Sequence, residues 1–107
     1  MSAARSRLRV PNEIRDLISG LNPDTKRRVR AALDAVIDDP ETGMALSERL
    51  AGYRRIRIGG WRIVYREEGR AIQIHAIGRR STVYADLIAR IERARRGRQK
   101  RRARVGT

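Results

Sequence analysis

Arg55, Arg57 and Arg62 fall at spacings that bring cations together on one surface. Arg55 and Arg57 alternate with Ile56 and Ile58. After Gly59-Gly60 the pattern resumes with Arg62, Val64 and Arg66 alternating against Ile63 and Tyr65. Side chains alternate faces along a strand, and a Gly-Gly pair makes a two-residue hairpin. Folded this way, Arg55, Arg57 and Arg62 converge on one face of a sheet. Like charges set side by side on a sheet repel, so the arrangement is either a well-solvated surface or a site for an anion. The anion chemistry would be charge stabilisation on a phosphate, because the planar guanidinium matches phosphate oxygens.

The whole composition leans the same way. Among 107 residues there are 26 Lys and Arg against 12 Asp and Glu, a net charge of +14, and only Lys26 and Lys100 are lysine. Such a chain attracts polyanions, with nucleic acid favoured by the arginine excess. Eight of the cations lie at 93–107 with no acid among them, so residues 1–92 carry +6 on their own. There is no cysteine and a single histidine, His75, which excludes disulfides, thiolate metal sites and multi-histidine metal sites. No cofactor is expected. No apolar run approaches a signal peptide or a membrane span, so a cytoplasmic protein without a membrane partner is expected.

The elements that would position these arginines can be read in turn. Arg5 to Val10 alternates and stops at Pro11, a short N-terminal strand. Ile14, Leu17, Ile18 and Leu21 form a helical stripe with Asn12 as the expected N-cap. Pro23 and Asp24 open a second helix whose buried face is Val29, Leu33, Val36 and Ile37, stopped at Asp38-Asp39-Pro40. The pair makes an α-hairpin. Residues 40–52 read as a loop anchored by Leu46 and Leu50. Three strands follow, Tyr53 to Ile58, Trp61 to Glu67 and Ala71 to Ile77, as an antiparallel meander. Tyr84, Leu87, Ile88 and Ile91 begin a C-terminal helix. The fold class is therefore α+β, a small single domain over 1–92 with an aliphatic core, followed by a basic, disordered tail over 93–107.

The segments Leu50-x-Gly52, Arg55 to Arg66, Ile77-Gly78-Arg79-Arg80 and Val83-Tyr84, taken with the two preceding helices, resemble the RelE/ParE superfamily of toxins from type II toxin–antitoxin systems. The likeness spans residues 5–92. It implies a toxin held by a cognate antitoxin and, on the RelE-like branch, a metal-independent endoribonuclease that cuts messenger RNA on the ribosome and so inhibits translation. There the RNA's own 2′-hydroxyl attacks the neighbouring phosphate, which calls for a proton acceptor, cations for the developing charge and a proton for the leaving oxygen. Carried over by position, the catalytic set is Arg55, Arg57, Arg62, Arg80 and Tyr84, with Arg79 and Arg66 as further RNA contacts and Arg79 as the alternative to Arg80. Tyr84 would stack on a base or hold the RNA backbone, or else simply begin the apolar stripe of its helix. The family's basic pair is lysine where this chain has Arg55 and Arg57, and arginine stays protonated up to a pKa above ~12, so no general base is assigned.

Two further branches remain open. A ParE-like protein shares the fold and poisons DNA gyrase, and a degenerate member would only bind antitoxin or nucleic acid. His75 is expected on one face with Gln73 and Ile77, opposite Ile72, Ile74 and Ala76, in a structural role. Trp61 and Tyr65 are expected to pack, and Glu67 and Glu68 to solubilise a turn.

Overall fold

The computed structural model describes residues 7–105, with side chains described through Gln99. Arg5 and Ser6 of the expected first strand lie outside the described residues, as do the side chains from Lys100 onward. The elements run β1 (Arg7–Arg9), α1 (Asn12–Ser19), α2 (Pro23–Asp38), β2 (Met44–Ala45), a 3-10 turn (Glu48–Leu50), β3 (Arg54–Ile58), β4 (Trp61–Glu68), β5 (Ala71–Arg79) and α3 (Val83–Val105). They confirm the α+β class. The sheet order is β1-β5-β4-β3-β2. The meander β3-β4-β5 is antiparallel as expected.

Two strands flank that meander. β1 joins β5 in parallel, Leu8 opposite Ile72, as the intervening helices carry the chain across. The expected loop at 40–52 contributes β2, which pairs Met44 with Arg55 and Ala45 with Arg54. Too short to show alternation, β2 exists because β3 offers it a free edge. It is tied down by Tyr65, whose hydroxyl donates to the Pro40 carbonyl at 2.7 Å and accepts from the Gly43 N–H at 2.8 Å. Burial pushes that phenol above its usual pKa.

Helix signals act largely as expected. Asn22 Oδ1 accepts from the Thr25 N–H at 2.9 Å, a side-chain cap with Pro23 at the first helical position. Asn12, expected as a cap, is instead the first residue of α1, and Pro11 occupies the cap position without a side-chain bond. α1 and α2 cover one face of the sheet, burying Ile14, Val29, Leu33 and Val36 against Ile58, Ile63, Tyr65, Ile72, Ile74 and Ile77. α3 covers the other, with Val83 and Leu87 packed on Leu50, Tyr53, Val64 and Ala76.

α3 runs to Val105, past residue 92 where the expected domain ended. The segment after Glu92 lacks apolar periodicity, but apart from Gly97 and Val105 it consists of Arg, Ala, Gln and Lys, strong helix formers that extend a helix already anchored at Leu87.

A bulge in β5 corrects the expected face pattern of that strand. Val64 pairs with Ala76 but Tyr65 with Ile74, so His75 is the extra residue. Strict alternation would set Ile77 with His75 and oppose Ile74. Instead Ile72, Ile74 and Ile77 all enter the α1–α2 core, while Ala76 joins the α3 side. The parity of everything downstream is inverted.

Candidate functional site: an arginine cleft

On the α3 side of the sheet lies an open cleft of about 400 Å³, lined by Leu46, Ser47, Leu50, Arg55, Arg57, Arg62, Arg80 and Tyr84. All five residues expected to be catalytic meet here. Arg55 and Arg57 come from β3, and Arg62 from β4 directly opposite Arg57. Arg80 follows β5, held by its own N–H donating to the Gly60 carbonyl at 2.9 Å. Tyr84 enters from the first turn of α3, half-buried against the smaller core.

Arg62 is the fixed member. It is 6% exposed, alone among charged or polar residues in being buried within the described chain. Its Nη1 donates to the Gly59 carbonyl at 2.9 Å and the Trp61 carbonyl at 2.8 Å, so it clamps the hairpin turn. The rest of its guanidinium is what the cleft can use. Arg57 is exposed, Arg55 half-buried, and Arg55 donates through Nη2 to the Met44 sulfur. On the far side of Arg62, β5 presents Gly78. A Cβ on Gly78 would come within 3.4 Å of Val83, so glycine allows the start of α3 to sit close to the sheet.

The bulge decides which of the adjacent arginines reaches the cleft. Uninterrupted alternation from His75 would direct Arg79 to the α3 side. With parity inverted, Arg79 goes to the α1–α2 side, where its guanidinium carbon sits 4.6 Å from the Trp61 ring centroid, and Arg80 lines the cleft. Arg66 shares the face of Arg62 but lies away from the cleft. It stacks 4.9 Å from the Tyr53 ring centroid and pairs with Glu68 at 3.0 Å. Neither Arg79 nor Arg66 lines the cleft, so their expected RNA contacts would have to be made outside it.

His75 is also elsewhere. Its Nε2 stands 2.7 Å from Glu68 Oε2 and its ring meets Tyr53 edge-on at 5.0 Å. Glu68 is therefore more than a solubilising turn residue. The hydrogen bond from His75, followed by Arg66, holds its carboxyl below the usual value. Trp61 and Tyr65 pack, as expected. Ser47, the cleft residue no motif signalled, arrives on the loop before the 3-10 turn. No group of three or more His, Cys, Asp or Glu suited to a metal occurs among the described residues.

Chemically the cleft offers four guanidiniums, a phenol and a hydroxyl. It can bind a phosphodiester and offset charge that builds on it. It holds no carboxylate or imidazole to take a proton near neutral pH.

The comparisons with known proteins are consistent with this geometry. The profile of a family described as the ParE toxin of type II toxin–antitoxin system, parDE, matches residues 7–84. None of the curated proteins matches the chain. Among solved structures, the RelBE2 toxin–antitoxin complex from Mycobacterium tuberculosis is similar, with a TM-score of 0.60 and 24% identity over 71% of this chain and 99% of that one. At that identity the likeness is one of fold.

Proposed function

The chain belongs to the ParE toxin family of type II toxin–antitoxin systems, and from that premise we propose that it is an endoribonuclease that cuts messenger RNA on the ribosome. The observation that carries this reading is the convergence of Arg55, Arg57, Arg62, Arg80 and Tyr84 on one cleft. A cognate antitoxin would neutralise the toxin by covering this basic surface, and the cytoplasm is where both would act.

In the proposed reaction, the ribose 2′-oxygen attacks the adjacent phosphorus. The bond to the 5′-oxygen of the next nucleotide breaks, leaving a 2′,3′-cyclic phosphate and a 5′-hydroxyl. The 2′ proton leaves to water, and water protonates the departing oxygen. Arg62 and Arg80 offset the charge on the non-bridging oxygens, with Arg62 pre-positioned by its two carbonyl bonds. Arg55 and Arg57 grip the flanking phosphate, and Tyr84 holds the base or backbone in line for attack. With arginines in place of a titratable pair, catalysis is electrostatic and positional, and slower than in a cleft holding a general base.

The direct test is to map cellular mRNA ends by primer extension after brief induction without antitoxin, beside Arg62→Ala. Cuts in translated frames that vanish in the variant support the reading. A second reading, gyrase poisoning, is favoured by the ParE description of the matching family. Growth arrest with intact mRNA and loss of gyrase supercoiling in vitro would select it. Absence of arrest would mark a degenerate member.

A further inference from the structure

A second basic cleft, of about 430 Å³, lies between β5 and α3 and shares none of the residues of the arginine cleft. Four guanidiniums border it, Arg66 from β4 and Arg90, Arg95 and Arg98 from α3. Two of them are built into place. Arg66 is stacked on the Tyr53 ring and paired with Glu68, and Arg90 donates through Nη2 to the His75 carbonyl. Arg95 and Arg98 are exposed and make no ion pair with the described residues. Glu68 is shared by Arg66 and His75, and no Asp or Glu is among the residues that line this cleft, so its wall is positive. Holding such cations along one wall costs self-repulsion that an anion would relieve.

We propose that this cleft is a second phosphate-binding site, which holds the backbone of single-stranded RNA beyond the segment in the arginine cleft. Both clefts open on the α3 side of the sheet. From Tyr84 to Arg98 the helix rises ~21 Å at 1.5 Å per residue. That is the length of about six stacked nucleotides at ~3.4 Å each. Arg90, Arg95 and Arg98 lie beyond residues 7–84, so the family match assigns them nothing. The inference extends the RNA reading above, but its test reads binding and does not depend on cutting.

The experiment is fluorescence anisotropy with a labelled 12-nucleotide single-stranded RNA and the full chain, titrated across salt concentrations. Four proteins are compared: the parent, Arg95→Gln/Arg98→Gln, Arg57→Gln, and the control Arg15→Gln/Arg30→Gln, which removes two exposed cations from α1 and α2. The α3 variant is expected to bind roughly 10-fold more weakly. Its log–log salt slope should be shallower by ~1.4, that is ~0.7 for each lost phosphate contact. The control should change little. Equal losses in control and α3 variant would overturn the site in favour of net charge alone. Loss of binding to a labelled polyglutamate peptide with RNA binding intact would overturn it in favour of an acidic protein partner. A loss confined to Arg57→Gln would overturn this site and leave the RNA reading standing. No loss in any variant would overturn both.

Discussion

Replacing Arg57 with glutamine should make the protein more stable and less active at once. Arg57 and Arg62 face each other across the β3–β4 hairpin, with Arg55 two residues along the same face and Arg80 bordering the same cleft. A like-charged pair directly opposite on a sheet costs roughly 0.2–1 kcal/mol. Arg57 is exposed and takes part in none of the hydrogen bonds that hold the turn, which belong to Arg62. Removing its charge therefore forfeits little and relieves the repulsion. With an unfolding entropy of about 2.1 cal/mol/K per residue, the gain raises Tm by ~1–5 °C for a chain of this length. The repulsion is screened over ~30 Å at 0.01 M salt and ~3 Å at 1 M, so the gain should fade as salt is added. Thermal melts at both salt levels measure it. RNA cleavage should fall by ~10-fold, less than the ~10²–10³ lost with a buried oxyanion donor, because Arg57 is solvated. A variant less stable than the parent at low salt, or as active as the parent, would refute the reasoning.

Substitutions at three other positions give further tests. A Cβ on Gly43 would meet the Tyr65 hydroxyl at 2.7 Å and the Arg55 carbonyl at 2.9 Å, so Gly43→Ala should cost ~1–3 kcal/mol in urea unfolding; an unchanged midpoint would show that the loop gives way freely. Tyr84→Phe should keep most cleavage if the ring acts by stacking, and Tyr84→Ala should lose it; equal losses would assign the role to the hydroxyl. Because the hydrogen bond from His75 holds the carboxyl of folded Glu68 below the usual glutamate value, its contribution to stability is present above that usual value and is lost as pH falls through the lower, folded one. Glu68→Gln should accordingly flatten the fall in stability on acidification, and parallel curves for parent and variant would contradict the His75 bond as its cause.

Local pattern alone determined much of this protein. Alternation around Gly59-Gly60 placed Arg55, Arg57 and Arg62 on one face, because a two-residue hairpin leaves the register no freedom. The stripes of α1, α2 and α3 and the Asn22-Pro23 start were legible for the same reason, since each depends on neighbours within one or two turns. Tertiary structure decided the rest. Whether Arg79 or Arg80 reaches the cleft turns on the bulge at His75, and nothing in the residue types between Ala71 and Arg79 signals it. A bulge appears where a strand must satisfy two faces at once. Here it lets three isoleucines fill the α1–α2 core while Ala76 packs beneath α3. β2 likewise needs an edge of β3 and a tyrosine twenty-two residues away to hold it. Those partners meet only after the chain has folded, so a reading that looks a few residues in each direction finds the arginines but not the geometry that selects among them.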